Sequence, residues 1–169
     1  MKLTLIVITG LLASFVPEKI RLHRMGWKQK SLLAKELIND VSRISQKLSR
    51  SKGVRPFSED GRFVLTGEDA RTLKEPFSRK YFEMNKAKIE MLNGDIMAYY
   101  KRLYGLIECI EDFQKLFFVS SNLPHSYKKN LLKTYHESIE NALEVAGILK
   151  EQAELQETRS RKILYRYFL

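Results

Sequence analysis

Of the residue types that staple or interrupt a chain, these 169 residues contain only one cysteine, four prolines and eight glycines. Each scarcity excludes something. A lone Cys109 cannot close an internal disulfide, and it rules out a cysteine-based zinc site. So little proline and glycine excludes a collagen-like or low-complexity chain and leaves room for long helices. Histidine is nearly as sparse, at His23, His125 and His136, and no Glu-x-x-His pair of a di-iron bundle occurs. There is no glycine-rich phosphate loop. No histidine is placed to activate Cys109 as a nucleophile. The sequence therefore implies no catalytic residues, no bound metal, no cofactor and no small-molecule substrate, and it does not read as an enzyme.

Negative charge is missing from one region in particular. Residues 1–55 hold 12 Lys or Arg against three acids, whereas the remaining 114 residues are nearly balanced at 18 against 17. A pI near 9.7 would ordinarily raise nucleic-acid binding. The confinement of the charge disfavours it, because no basic stripe past residue 55 is dense enough to follow a phosphate backbone.

What precedes the basic block is apolar. Residues 3–16, LTLIVITGLLASFV, carry no charge, and Lys19, Arg21, Arg24, Lys28 and Lys30 follow at once with Trp27 among them. An apolar plug with a cationic flank is the pattern of a membrane segment whose basic side stays in the cytoplasm. As a helix, the 14 residues span about 21 Å, short of a bilayer core of about 30 Å. Extension through Ile20, Leu22 and Met25, with the cations snorkelling, narrows the gap. Two competing readings stand beside the anchor. One is a cleaved signal peptide, disfavoured by the poor cleavage site and the basic flank. The other is a buried strand, KLTLIVITG, opening an α/β fold.

Behind this segment the pattern is helical. Leu33, Leu37, Val41, Ile44 and Leu48 step by three and four. Leu92, Ile96, Tyr99, Leu103, Leu106, Ile110, Phe113 and Phe117 form a heptad seam that continues backwards to Ile89, Asn85 and Phe82. These steps predict one helix over 76–118, opened by Pro76, with Gly94 and Gly105 inside it. Leu132, Tyr135, Ile139, Ala142, Ala146, Leu149 and Ala153 predict a third helix over 124–168. The short link VSSNLPHS, 119–126, makes the last two helices an antiparallel hairpin. Between the first and second helices, PFSEDGRFVLT predicts a β-hairpin around Asp60-Gly61.

The expected fold is mostly α: an N-terminal membrane-anchor helix followed by an elongated antiparallel three-helix coiled bundle with a small β-hairpin insertion. Its segments are 1–17 (anchor or signal), 18–50 (basic amphipathic helix), 51–75 (hairpin insertion) and 76–169 (helical hairpin). The membrane flank is Lys19, Arg21, Arg24, Trp27, Lys28 and Lys30. With the second helix returning to the bilayer, Phe117, Phe118, Val119, Leu123, Lys128 and Lys129 would lie near headgroups. The C-terminus would then reach the distal tip beside the hairpin. That tip supplies the candidate partner-binding residues Phe57, Asp60, Arg62, Phe63, Arg161, Tyr165, Tyr167 and Phe168. The function this implies is a single-pass, membrane-tethered adaptor, scaffold or accessory subunit with its bulk in the cytoplasm. Its partners would be proteins of a membrane complex and an anionic membrane surface. The alternatives are an exported helical chaperone or inhibitor, and a small basic nucleic-acid-binding protein.

Overall fold

The computed structural model describes the backbone of residues 2–60, 62, 64–65, 67–119 and 124–168, and their side chains apart from those of 2–18, 80, 82 and 168. The chain is mostly α. Its helices are α1 (Lys2–Gly53), α2 (Gly67–Lys74), α3 (Lys80–Ile89), α4 (Gly94–Val119) and α5 (His125–Phe168). α1 runs unbroken through the expected boundary at 17/18. Among the described residues, no helix is long and apolar enough to cross a membrane. The side chains of the apolar run 3–16, on which the expected anchor rests, lie outside the described residues.

The first apolar stripe does what its period implies. Leu33, Leu37, Val41, Ile44 and Leu48 are all buried on α1, joined by Ala34. α5 buries Leu131, Tyr135, Ile139, Ala142, Val145, Ala146, Leu149 and Ala153 against it. Ala34, Ala142, Ala146 and Ala153 are fully buried in the same core as the fully buried Tyr100 and Phe117, small beside large as close packing requires.

The expected single helix over 76–118 is two helices. α3 ends in tight i→i−3 bonds, Met91 N–H to Lys88 O at 3.0 Å and Leu92 N–H to Ile89 O at 2.9 Å. α4 then opens at Asn93, whose side-chain oxygen accepts the Asp95 N–H at 3.2 Å and whose carbonyl accepts the Met97 N–H at 3.2 Å. This is an N-cap with an acid in the first turn. Gly94 is therefore a helix-start residue and not an interior one. Pro76 also does not begin a helix, because residues 75–79 are non-helical. That strap is pinned from both sides. The Lys47 ammonium donates to the Glu75 carbonyl, and the Glu111 carboxylate accepts the Phe77 N–H at 2.9 Å. Arg79 spreads its guanidinium over Glu108, at 2.9 Å, and Glu111.

The strap and α3 carry the chain back along α1, where the Tyr81 hydroxyl reaches the Leu33 carbonyl at 3.4 Å. α4 must then run the same way as α1. Its Tyr104 donates to the Asp40 carboxylate at 3.1 Å, and further along Phe117 meets Phe57 just past the α1 end, ring centroids 5.8 Å apart. α5 returns antiparallel to both. Tyr135, near its start, accepts from Gln114 of α4 at 3.3 Å and donates to the Ser51 carbonyl of α1 at 3.4 Å. The expected antiparallel bundle thus holds for α4 and α5 but not for α1 and α4, which are parallel.

The β-hairpin expected within 51–75 is also corrected, since no strand occurs among the described residues. Its turn is present: Ser58 N–H donates to Arg62 O at 2.9 Å and Val64 N–H to Pro56 O at 3.0 Å. Pro56 has no N–H to extend the ladder, and a two-stranded unit is marginal on its own.

Candidate functional site

The antiparallel pairing of α1 and α5 fixes where the sequence-predicted residues lie. Ser51 meets Tyr135, and Lys52 pairs with Glu140 at 2.9 Å. Thirty-two residues separate Ser51 from Lys19, and the same number separate Tyr135 from Tyr167. At 1.5 Å per residue both arms extend about 48 Å, so Tyr167 comes level with Lys19. α4, by the same reasoning, starts near the level of residue 155 and does not cover this end.

The collar and the C-terminus therefore share one end of the molecule. On α1, Lys19, Arg21, Arg24 and Lys28 are exposed, and Trp27 and Lys30 are half-buried. The Lys30 ammonium lies 5.0 Å from the Trp27 ring centre, and His23 meets that ring edge-on. Ile20, Leu22 and Met25 are exposed among them. A groove of about 630 Å³ runs along Lys19, Leu22, His23, Gly26, Trp27 and Lys30. On α5, Arg161 pairs with Glu157 at 2.7 Å, Arg166 lies 5.7 Å from the Tyr167 ring centre, and Tyr165 and Tyr167 are exposed. The Phe168 side chain lies outside the described residues.

Phe57, Asp60 and Arg62 sit at the opposite end, where Phe57 meets the end of α4 and the start of α5, so the two halves of the expected partner-binding tip are separated. Asp60 pairs with Arg62 at 3.0 Å, and the Ser58 hydroxyl donates to Asp60, holding its carboxyl below the usual range. Phe57 is buried, stacked edge-on against Phe117 and beneath Lys128. Phe63 and Leu123 lie outside the described residues. Phe117 and Lys128 are buried, Val119 is exposed, and all lie far from the α1 N-terminus. The end of α4 and the start of α5 therefore lie opposite the collar, where the expectation placed them beside it, because α4 runs away from the collar and not back toward it. A cavity of about 460 Å³ opens there between Arg55, Glu59, His125, Lys129 and His136.

Other features are unreadable from spacing alone. Asp40 is buried beneath Tyr104, whose hydroxyl also reaches the Ser78 carbonyl at 3.4 Å, tying α4 to α1 and to the strap. Burial raises the Asp40 pKa above 3.8, opposed by the Tyr104 hydrogen bond. Burial likewise lowers the pKa of Lys47, which sits 4.3 Å from the Phe77 ring centre. Leu32 on α1, Met84 on α3 and Met91 just past the α3 end are exposed, and a groove of about 320 Å³ runs past Leu32, Asn85, Lys88 and Met91. Glu108 and Glu111 hold Arg79, and α5 starts at His125, just after Pro124. Cys109 is exposed. Among the described residues, no three His, Cys, Asp or Glu side chains come together as a metal site. No family model matches the chain, and no curated protein or solved structure matches it.

Proposed function

We propose that this chain is a membrane-tethered helical adaptor or accessory subunit that acts by binding protein, with its bundle in the cytoplasm. The observation that carries the binding half is the exposed apolar strip along α1 and α3. Leu32 is 53%, Met84 65% and Met91 50% exposed, beside an α1 stripe that is buried from Leu33 to Leu48. Methionine side chains adapt to irregular partners, and exposed apolar strips rimmed by polar groups mark interaction surfaces. Glu36, Asn85 and Lys88 supply such a rim. The tether half rests on the apolar run 3–16 and the one-sided cationic flank behind it, which directs the following domain to the cytoplasm.

Two measurements test the halves separately. Alkaline extraction of membranes with N-terminal sequencing should find intact Met1 in the pellet; a soluble chain starting near residues 15–18 would overturn the tether. A photo-crosslinker at Met91 in cells should give one discrete adduct that Met84→Lys abolishes. Equal crosslinking from the exposed Lys101 position on α4 would overturn the assignment of this strip.

A further inference from the structure

We infer that the first three turns after the apolar run and the last three turns of α5 form one composite surface for anionic lipid, so that both ends of the chain lie on the bilayer. The two segments, 19–30 and 158–167, are far apart in sequence and level in the fold. They bring together Lys19, Arg21, Arg24, Lys28 and Lys30 with Arg159, Arg161, Lys162 and Arg166; neither segment contains an acid, and of the acids at their borders, Glu18 and Glu157, the latter pairs with Arg161 at 2.7 Å.

The inward stripe of α1 argues for what this end meets. Inside the bundle it reads Leu33, Leu37, Val41, Ile44 and Leu48. Continued toward the N-terminus in steps of three and four, it reads Lys30, Gly26, His23 and Lys19. These residues line the open groove, and a Cβ built on Gly26 would meet nothing within 4 Å. An apolar helix from a second copy cannot cover such a stripe without burying cations in a low-dielectric contact. The occupant must bring negative charge. It must also accept apolar and aromatic side chains, because Ile20, Leu22, Met25, Tyr165 and Tyr167 stand exposed between the cations. A bilayer surface with anionic headgroups offers both, with tryptophan and tyrosine at the headgroup level and basic groups on the phosphates. Continuity with the apolar run 3–16 places that surface at the same end.

This deepens the tether proposal but does not depend on it, since a cationic-aromatic surface binds peripherally without an inserted helix. The experiment separates the two. The full chain carrying Cys109→Ser and Tyr167→Cys, labelled with a polarity-sensitive dye, is mixed with vesicles of phosphatidylcholine alone or with 30% phosphatidylserine. Flotation on the neutral vesicles after alkaline washing reports the tether. The dye reports the composite surface. Its emission should shift to the blue only with phosphatidylserine, and 0.5 M salt should reverse the shift. Arg159→Gln, Arg161→Gln, Lys162→Gln and Arg166→Gln together should weaken the response on the order of 1,000-fold in lipid concentration, at unchanged helicity. A chain that floats on neutral vesicles with no dye shift on anionic ones would overturn the composite surface and leave the tether. A salt-sensitive shift without alkali-resistant flotation would overturn the tether and support the surface. Reversal of the shift by a short duplex DNA at constant ionic strength would overturn lipid as the occupant.

Discussion

Tyr135 is the side chain on which α1, α4 and α5 converge, and its removal should expose how the bundle is joined. It is fully buried; it accepts from Gln114 of α4, donates to Ser51 of α1, and stacks edge-on against Phe117 with centroids 4.9 Å apart. Tyr135→Phe keeps the ring and deletes the hydroxyl. The buried Gln114 amide then loses its partner, a loss worth about 1–3 kcal/mol for a buried group left unsatisfied, whereas the Ser51 carbonyl keeps the Val54 N–H at 3.3 Å. The bonds are long, at 3.3 and 3.4 Å, so the lower half of that range applies. Tyr135→Ala also removes the ring from a closed site and should cost about 3–5 kcal/mol. Urea unfolding followed by circular dichroism reads both. The phenylalanine variant should move the midpoint down with an unchanged slope. In a double-mutant cycle with Gln114→Met, the combined loss should be smaller than the sum, because both changes remove the same bond. An unchanged midpoint for Tyr135→Phe, together with additive behaviour, would refute the three-helix junction.

Three further outcomes follow from the same packing. Leu37→Ala, at a fully buried position, should cost about 2–5 kcal/mol, while Lys35→Ala on the exposed face should stay within about 0.5 kcal/mol; equal thermal shifts would refute the α1 stripe. Asp40 has a raised folded-state pKa because it is desolvated, so its contribution is fully present below 3.8 and is lost as pH rises through the folded value. Asp40→Asn should therefore gain relative stability between pH 4 and pH 7 while keeping an acceptor for Tyr104, and urea midpoints at the two pH values check it; a gain on acidification would contradict the assignment. Asn93→Ala should cost about 1 kcal/mol as a lost helix cap, whereas Gly94→Ala, with nothing within 4 Å of the added Cβ, should cost no more than a few tenths, as thermal melts will read.

Local periodicity was legible where it answers a local question. The α1 stripe and most buried positions of α5 followed from three- and four-residue steps, which decide the face a helix buries; at the start of α5 Leu131 is buried and the expected Leu132 only half-buried, and Val145 was missed. Direction was not legible. Ile89, Leu92 and Ile96 keep a heptad phase straight across the break at 90–93, so the seam concealed the end of α3 and the start of α4. The local signal was Asn93-Gly94-Asp95, a cap and an acidic first turn, outweighed by the seam around it. That one break reverses the path of α4 and with it the end at which the C-terminus lies. The two basic-aromatic segments were each visible in sequence, but their meeting depends on that reversal. The turn at Glu59 and Asp60 was readable from its residues, while strand formation depends on how many backbone bonds flank it, and Pro56 limits those.

The meeting of the two chain ends can be measured as a distance. Spin labels at Lys28→Cys and Thr158→Cys, in a Cys109→Ser background, sit on exposed positions of the paired helices at the same level. Neighbouring helix axes lie about 8–10 Å apart, so the labels should report a distance under about 25 Å. The pair Asp60→Cys and Thr158→Cys spans the 23 residues of α5 back to Tyr135 and should report more than about 30 Å. A short Asp60–Thr158 distance with a long Lys28–Thr158 distance would place the C-terminus beside the turn at Asp60 and contradict the account.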